Sequence, residues 1–259
     1  MRLGDETACG YNPRSMAQVR PIAPEDRMQL ATLLDRRSAA DATAGYYALH
    51  HAASKVKLFG YYANDNAPSG FLALANTGLD LFRPVALPFA GQPYPLIALL
   101  REGLSSGRPA LLHLPVDQRG WVEGVLEVDE PQELELLRLS PQEFEPLINV
   151  LVVEALTPTG WPRYEIRSRD NVVAAAGLNW MGEYFAEVYL EVQPEARERR
   201  LGESVLAAIV ARLLGERRVP LYRVESGDKE AQIEAAALGF RPTGVRTVIG
   251  NAVLASGAP

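Results

Sequence analysis

Two neighbouring stretches of this chain carry residue types that could do chemistry. In Phe185-Ala-Glu-Val-Tyr-Leu-Glu-Val192 the apolar residues alternate with larger and charged ones. A strand would place Ala186, Val188, Leu190 and Val192 on one side and Phe185, Glu187, Tyr189 and Glu191 on the other. A carboxylate is a side chain that can do acid–base work, while the same alternation also describes a half-solvated sheet face. Directly after it, Arg197-Glu-Arg199-Arg200-Leu201-Gly202-Glu203-Ser204 precedes a periodic apolar stripe, Val205, Leu206, Ile209, Val210, Leu213 and Leu214. A strand feeding a loop that opens a helix aims unpaired N–H groups at one point, with the helix dipole behind them. That arrangement suits an anion such as a pyrophosphate. Taken locally, the same residues also describe a solvated helix start with surface arginines.

The elements that must position these residues read as two similar halves. In the second, Leu134–Leu139 is an extended run, and Ser140-Pro-Gln-Glu143 carries a capping-box helix start. Strands are expected at Tyr164–Ser168, Val172–Trp180 and Tyr184–Val192, then a helix over Glu203–Leu214. A strand at Pro220–Glu225, a helix at Lys229–Leu238 and a last strand around Val245–Ile249 complete the half. In the first half, Val19–Ile22 is extended, a helix with an apolar face follows Pro24, and a second helix covers Ala42–Ala53. Strand-like runs follow at Lys57–Tyr62, Gly70–Ala75 and Leu79–Arg83. The segment from Arg83 to Pro95 reads as a connector or lid, Pro95–Leu104 as a helix, Ala110–Leu114 as a buried strand and Val116–Gly124 as another helix. The acidic, proline-containing Val128–Pro131 marks the junction. The expected organisation is a leader over 1–17 and two units over 18–130 and 131–259. The fold class is mixed α/β (α+β): tandem units, each a mostly antiparallel twisted sheet flanked by helices.

Composition narrows the function. The 259 residues are 47% hydrophobic and 22% charged, an ordinary balance for a globular protein. No apolar stretch approaches the ~20 residues needed to span a bilayer, and Met1–Ser15 has no apolar run of a signal peptide. The single cysteine, Cys9, permits no intramolecular disulfide and fits a reducing cytoplasm. The three histidines, His50, His51 and His113, have no cluster of metal-ligand type around them, so no metal is expected. A formal charge of −6 argues against nucleic acid as a partner.

Val192-x-Pro194-Glu195-x-Arg197, then Arg199-x-Leu201-Gly202, resembles the strand-4/helix-3 signature of the GNAT superfamily of acyl-CoA-dependent N-acyltransferases. That family's phosphate loop, Gln/Arg-x-x-Gly-x-Gly/Ala, lies on Arg197–Gly202. Leu221-Tyr-Arg-Val-Glu-Ser226 resembles its fifth strand, and Asp228 to Leu238-Gly239-Phe240 the helix ending in its Gly-Phe. The match covers roughly the last half of the chain. The opening Val19-Arg20-Pro21 to Asp26 also resembles a GNAT start, but Arg83–Pro95 has no such phosphate loop. The resemblance implies acetyl-CoA as co-substrate, held by Leu190, Val192, Arg197, Arg199, Arg200, Leu201, Gly202, Glu203 and Ser204 of the second half. It implies direct transfer of the acetyl group to a small-molecule or peptide amine, without metal or membrane. Glu187 or Glu191 would be the base. The family's frequent acid, a tyrosine four residues before the Gly-Phe glycine, is replaced by Ala235, so Tyr222 on the neighbouring strand would substitute for it. Arg200 stands at a glycine position of the loop, where its charge could contact phosphate. Arg200 and Ala235 also favour the alternative of a non-catalytic module that binds acyl-CoA or a protein partner.

Overall fold

The computed structural model describes residues 17–64, 67–78, 80, 82–158, 160–197 and 199–255. Of the expected leader only Ala17 is described, and Cys9 lies outside the described residues. The chain forms β1 (Gln18–Ile22), α1 (Ala39–Gly45), β2 (Val56–Tyr62), β3 (Gly70–Ala75), β4 (Val85–Ala90), α2 (Pro93–Gly103) and β5 (Ala110–Pro115). There follow β6 (Leu126–Leu139), β7 (Val153–Leu156), β8 (Pro162–Ser168), β9 (Asn171–Met181) and β10 (Phe185–Val192). The last elements are α3 (Pro194–Arg197), α4 (Leu201–Gly215), β11 (Val219–Glu225), α5 (Lys229–Ala237) and β12 (Phe240–Leu254).

Among the described residues all twelve strands join one sheet, in the order β1-β2-β3-β4-β5-β12-β6-β11-β10-β9-β8-β7. Its centre is a reciprocal exchange. β6 follows β5 in sequence but pairs antiparallel with β11, whereas β12 follows β11 and α5 but pairs antiparallel with β5. The two long strands pair with each other across Leu126–Leu139. The expected junction at Val128–Pro131 consequently lies inside a strand, not in a linker.

Three cores show the same interlocking. One lies under α4 and draws on the second half, with Leu137, Val188, Val205, Ile209, Leu213 and Phe240. Another packs α2 of the first half against Leu72, Leu112 and Leu114. The third is shared: Leu30, Tyr46, Tyr47 and Phe71 of the first half pack with Leu136, Trp180, Phe185 and Leu221 of the second. Trp180, 2% exposed, stacks on Tyr46 with ring centroids 5.4 Å apart, a favourable separation for an aromatic pair.

Several local expectations change. Asp80 folds a turn by accepting from the Phe82 and Arg83 N–H groups, so no strand forms at 79–83, residues 79 and 81 lying outside the described ones. The strand begins past Pro84 instead, and the expected Arg83–Pro95 connector contains β4. The second helix starts earlier, at Ala39, where Ser38 accepts from the Ala40 N–H, and its last turn, Tyr46–His50, widens to a π-turn. The segments after Pro24 and Val116 are 3₁₀ helices rather than α-helices. Ser140 opens no helix: residues 141–143 form a turn and the chain runs irregularly to Val152. Glu143 pairs with Arg241 instead of closing a capping box, Pro146 withholds a donor within the first turns, and Leu147, Ile148 and Val150 stay exposed.

Candidate functional site

The site is built where two parallel strands part. β10 and β11 pair from Phe185↔Val219 to Val188↔Tyr222 and no further. Beyond that point β10 continues against β9, from Tyr189↔Gly177 to Val192↔Ala174, while β11 continues against β6, as far as Glu225↔Leu134. A bulge in the β9–β10 pairing between Glu187 and Val188 accompanies the parting. One edge of Tyr189–Val192 is thereby left without a strand partner.

The start of α4 closes this fork. Arg200 is its N-cap, in the left-handed region with φ 53° and ψ 31°, and no side chain caps the helix. This is a conformation that glycine adopts at little cost and other residues adopt under strain. Gly202 is needed for close approach: a Cβ there would lie 2.8 Å from Val192 Cγ2 and 3.4 Å from Leu190 Cδ2. The first turn of α4, including Leu201, Gly202, Glu203 and Ser204, is buried against the strand, and Asn149 Nδ2 donates to Ser204 Oγ at 3.1 Å. The fork, the left-handed residue and the uncapped helix start are an arrangement that a pyrophosphate and an extended amide-bearing chain fit.

The charged residues are less simply disposed. The Arg200 guanidinium is engaged by Glu203, with Nε–Oε1 2.7 Å and Nη2–Oε2 2.6 Å. Leu190, Val192, Arg200, Gly202 and Tyr222 line one cleft together with Asp228, Glu230, Ala231 and Glu234. Among the described residues Arg200 is thus the sole cation on a cleft with three carboxylates. Arg199 is exposed beside it, and of Arg197 only the backbone, at the end of α3, is described. The acidic rim went unnoticed in the sequence; helical spacing of Asp228, Ala231 and Glu234 was the signal that could have found it.

The three candidate catalytic residues fall in three different environments. Glu187 is 4% exposed and faces away from α4. Its Oε2 takes Trp180 Nε1 at 3.0 Å and Arg223 Nη1 at 3.0 Å, and its Oε1 takes Asn179 Nδ2 at 3.0 Å. Arg223 Nη2 in turn donates to Thr43 Oγ1 of the first half at 2.7 Å. Glu191 lies outside, 65% exposed, with its carboxylate 3.1 Å from Arg163. Arg163 also donates to the Tyr189 hydroxyl at 2.7 Å and to buried Glu165 at 2.8 Å. Tyr222 lines the cleft; burial, with Glu234 and Asp228 nearby, pushes its phenol up to about 12. The position of Ala235 is buried in the core beneath. Trp180, Asn179, Arg163 and Arg223 were not singled out by sequence. Arg223 is legible only in retrospect, as the residue alternating with Leu221 onto the inter-half face.

Among the described residues no group of three or more His, Cys, Asp or Glu side chains could hold a metal ion. Nor does any described helix have the length and apolarity to cross a membrane.

No family model matches this chain, and no curated protein matches it in sequence. Solved structures do. A GCN5-related N-acetyltransferase from Sphaerobacter thermophilus superposes with a TM-score of 0.60 at 10% identity, covering 94% of this chain and 96% of that one. An acetyltransferase of the GNAT family from Colwellia psychrerythraea gives 0.53 at 11% identity, over 91% and 99%. The chain has the GNAT fold. A tandem GNAT protein from the clavulanic acid biosynthesis pathway is a further neighbour, with a TM-score of 0.58 at 13% identity, covering 94% of this chain and 100% of that one.

Proposed function

We propose that the protein is an acyltransferase that uses acetyl-CoA and passes the acetyl group to an amine at the β10–β11 fork. The observation that carries this reading is the parting of β10 and β11 after Val188 and Tyr222 beside the uncapped start of α4. The main-chain N–H groups of the first turn of α4, behind the left-handed Arg200, would hold the pyrophosphate. The free edge of Leu190–Val192 would take the amides of the pantetheine arm. Bound there, the coenzyme supplies an electrophilic thioester.

Tyr222 then serves as a hydrogen-bond donor to the departing sulfur. A phenol near 12 stays protonated, and it is too weak an acid to protonate a thiolate of about 8.5 outright, so it stabilises the thiolate in place. Glu187 suits a positioning role: with its oxygens engaged by Trp180, Asn179 and Arg223, it fixes Arg223 and the packing of the two halves. Glu191, open to solvent, remains the carboxylate on β10 that an incoming amine can reach.

A second reading is a non-catalytic acyl-CoA-binding module. The capture of Arg200 by Glu203 and the carboxylates of Asp228, Glu230 and Glu234 on the cleft favour it. Titration of the whole chain with CoA and acetyl-CoA, then a panel of amines assayed for thiol release, separates the readings. Binding with turnover supports the transferase, binding without turnover on any amine supports the module, and no binding removes both.

A further inference from the structure

The first half has a fork of its own. β4 and β5 pair in parallel only at Val85↔Leu111 and Ala86↔Leu112, after which β4 stays with β3 and β5 with β12. Where they part lies a cavity of ≈ 590 Å³, walled by Ala44, Leu87, Phe89, Val116 and Val245 and by the polar residues His113, Gln118 and Arg223. That volume is ordinary for a small-molecule site. It is not shaped for a whole coenzyme. Gln92 alone separates Gly91 from α2, whose opening turn contains Pro93 and Pro95, two residues without an N–H to offer a phosphate.

Among the described residues, three buried polar atoms of these wall residues make no hydrogen bond: Arg223 Nε, His113 Nδ1 and Gln118 Oε1. The Arg223 side chain is 10% exposed. A buried polar group without a partner is costly, and three around one cavity specify a polar head among apolar walls. The orientation of Gln118 is set, because its Nε2 donates to Ala90 O at 3.2 Å, leaving Oε1 as an acceptor. Arg223 is a donor, with its charge already balanced by Glu187 at 3.0 Å, and Arg246 is balanced by Glu133 at 2.7 Å. Asp41 and Asp117 also line the cavity, and burial holds His113 neutral down to about 3. Among the described residues no unbalanced positive charge lines the cavity, whereas Asp41 and Asp117 do, so a carboxylate is disfavoured.

We propose that this cavity binds a small uncharged carboxamide with an apolar body, its carbonyl accepting from Arg223 Nε–H and its N–H donating to Gln118 Oε1. This site stands apart from the acyl-transfer reading and survives its failure. Calorimetric titration of the whole chain with 3-phenylpropanamide, 3-phenylpropanoate and N,N-dimethyl-3-phenylpropanamide tests it. The primary amide should saturate at millimolar concentration or below. The carboxylate and the dimethyl amide, which lacks the N–H, should bind about tenfold more weakly or worse. Gln118→Met should weaken the primary amide about tenfold, and Ala44→Phe, by filling the space, should abolish binding. Thermal transitions of both variants check that they fold; should Ala44→Phe unfold, Gln118→Met still decides. Equal binding of the three compounds, tighter binding of the carboxylate, an unaffected Gln118→Met or no saturable binding of the primary amide overturns the proposal.

Discussion

The two forks of this sheet differ in what closes them. Each is made by parallel strands that separate after a short register, two residue pairs in β4–β5 and four in β10–β11. The second is followed by Arg200 in left-handed geometry and by Gly202, which lets α4 lie against Val192 and Leu190. The first runs almost directly into a proline-opened α2 and leaves a cavity with unpaired polar side chains. A fork supplies a free strand edge, but only a helix start with available N–H groups adds a place for phosphate. On the proposed readings the same topology would serve two different ligand chemistries according to two or three residues at its mouth.

The largest expected effect comes from separating the forks. Residues 131–259 alone would begin inside β6, strip β12 of β5, and expose Trp180, Phe185 and Leu221. That fragment should lack a cooperative thermal transition by circular dichroism, whereas the whole chain should show one. A cooperative fragment that binds CoA would show that the second fork is self-sufficient.

Next comes the ion pair linking them. Glu187→Gln leaves Arg223 buried and without its counter-charge, and should cost about 3–5 kcal/mol in urea unfolding. Glu191→Gln on the same strand, at an exposed pair, should cost less than about 1 kcal/mol. Equal effects would contradict the division between a positioning and an accessible glutamate.

A smaller effect is expected at the mouth of the second fork. Arg200→Gly relieves the left-handed strain, so the thermal midpoint should rise. It also removes the one cation that the described residues place on an otherwise acidic cleft, so CoA affinity should fall by about tenfold. Calorimetry at two salt concentrations reads this, because a lost phosphate contact also flattens the salt dependence. Tighter binding by the glycine variant would mean that Arg200 obstructs the loop and would favour the non-catalytic module.

The smallest effect lies at the first fork. Burial lowers His113 to about 3 and also lowers His50 and His51. The unfolded chain, with histidines near 6.5, binds these protons first. The associated stability is full above about 6.5 and is lost as pH falls toward 3. Replacing His113 with Gln should flatten the decline in urea midpoint between pH 6.5 and 5, and an unchanged slope would remove His113 as its cause.

How far these features were legible follows from the range of the interactions. The β10–α4 unit is local: alternation in Phe185–Val192 and the apolar stripe from Val205 to Leu214 are periodic signals within one stretch of chain. Even the left-handed strain at Arg200 could be foreseen from a non-glycine residue at a glycine position. The exchange of β6 and β12 could not, because it depends on which of two similar edges each strand finds. The Val128–Pro131 segment carries turn-like residues, yet long-range pairing with β12 holds it as strand. The Ser140–Glu143 capping signal failed because Pro146 and the exposed Leu147, Ile148 and Val150 gave a helix no buried face. At the site, sequence suggested which residues carry charge but not how those charges pair. Arg200 with Glu203, and Glu187 with Arg223, are contacts of the folded chain.

The assignment of acyl-CoA to the second fork is tested most directly by blocking each fork in turn and measuring acetyl-CoA binding by calorimetry. Ala231→Trp fills the cleft beside Tyr222 and Gly202, and Ala44→Phe fills the cavity at the first fork. Binding should be lost in Ala231→Trp and match the unmodified protein in Ala44→Phe, both variants retaining the cooperative thermal transition. Loss of binding in Ala44→Phe with full binding in Ala231→Trp would place the coenzyme in the wrong half and contradict the assignment.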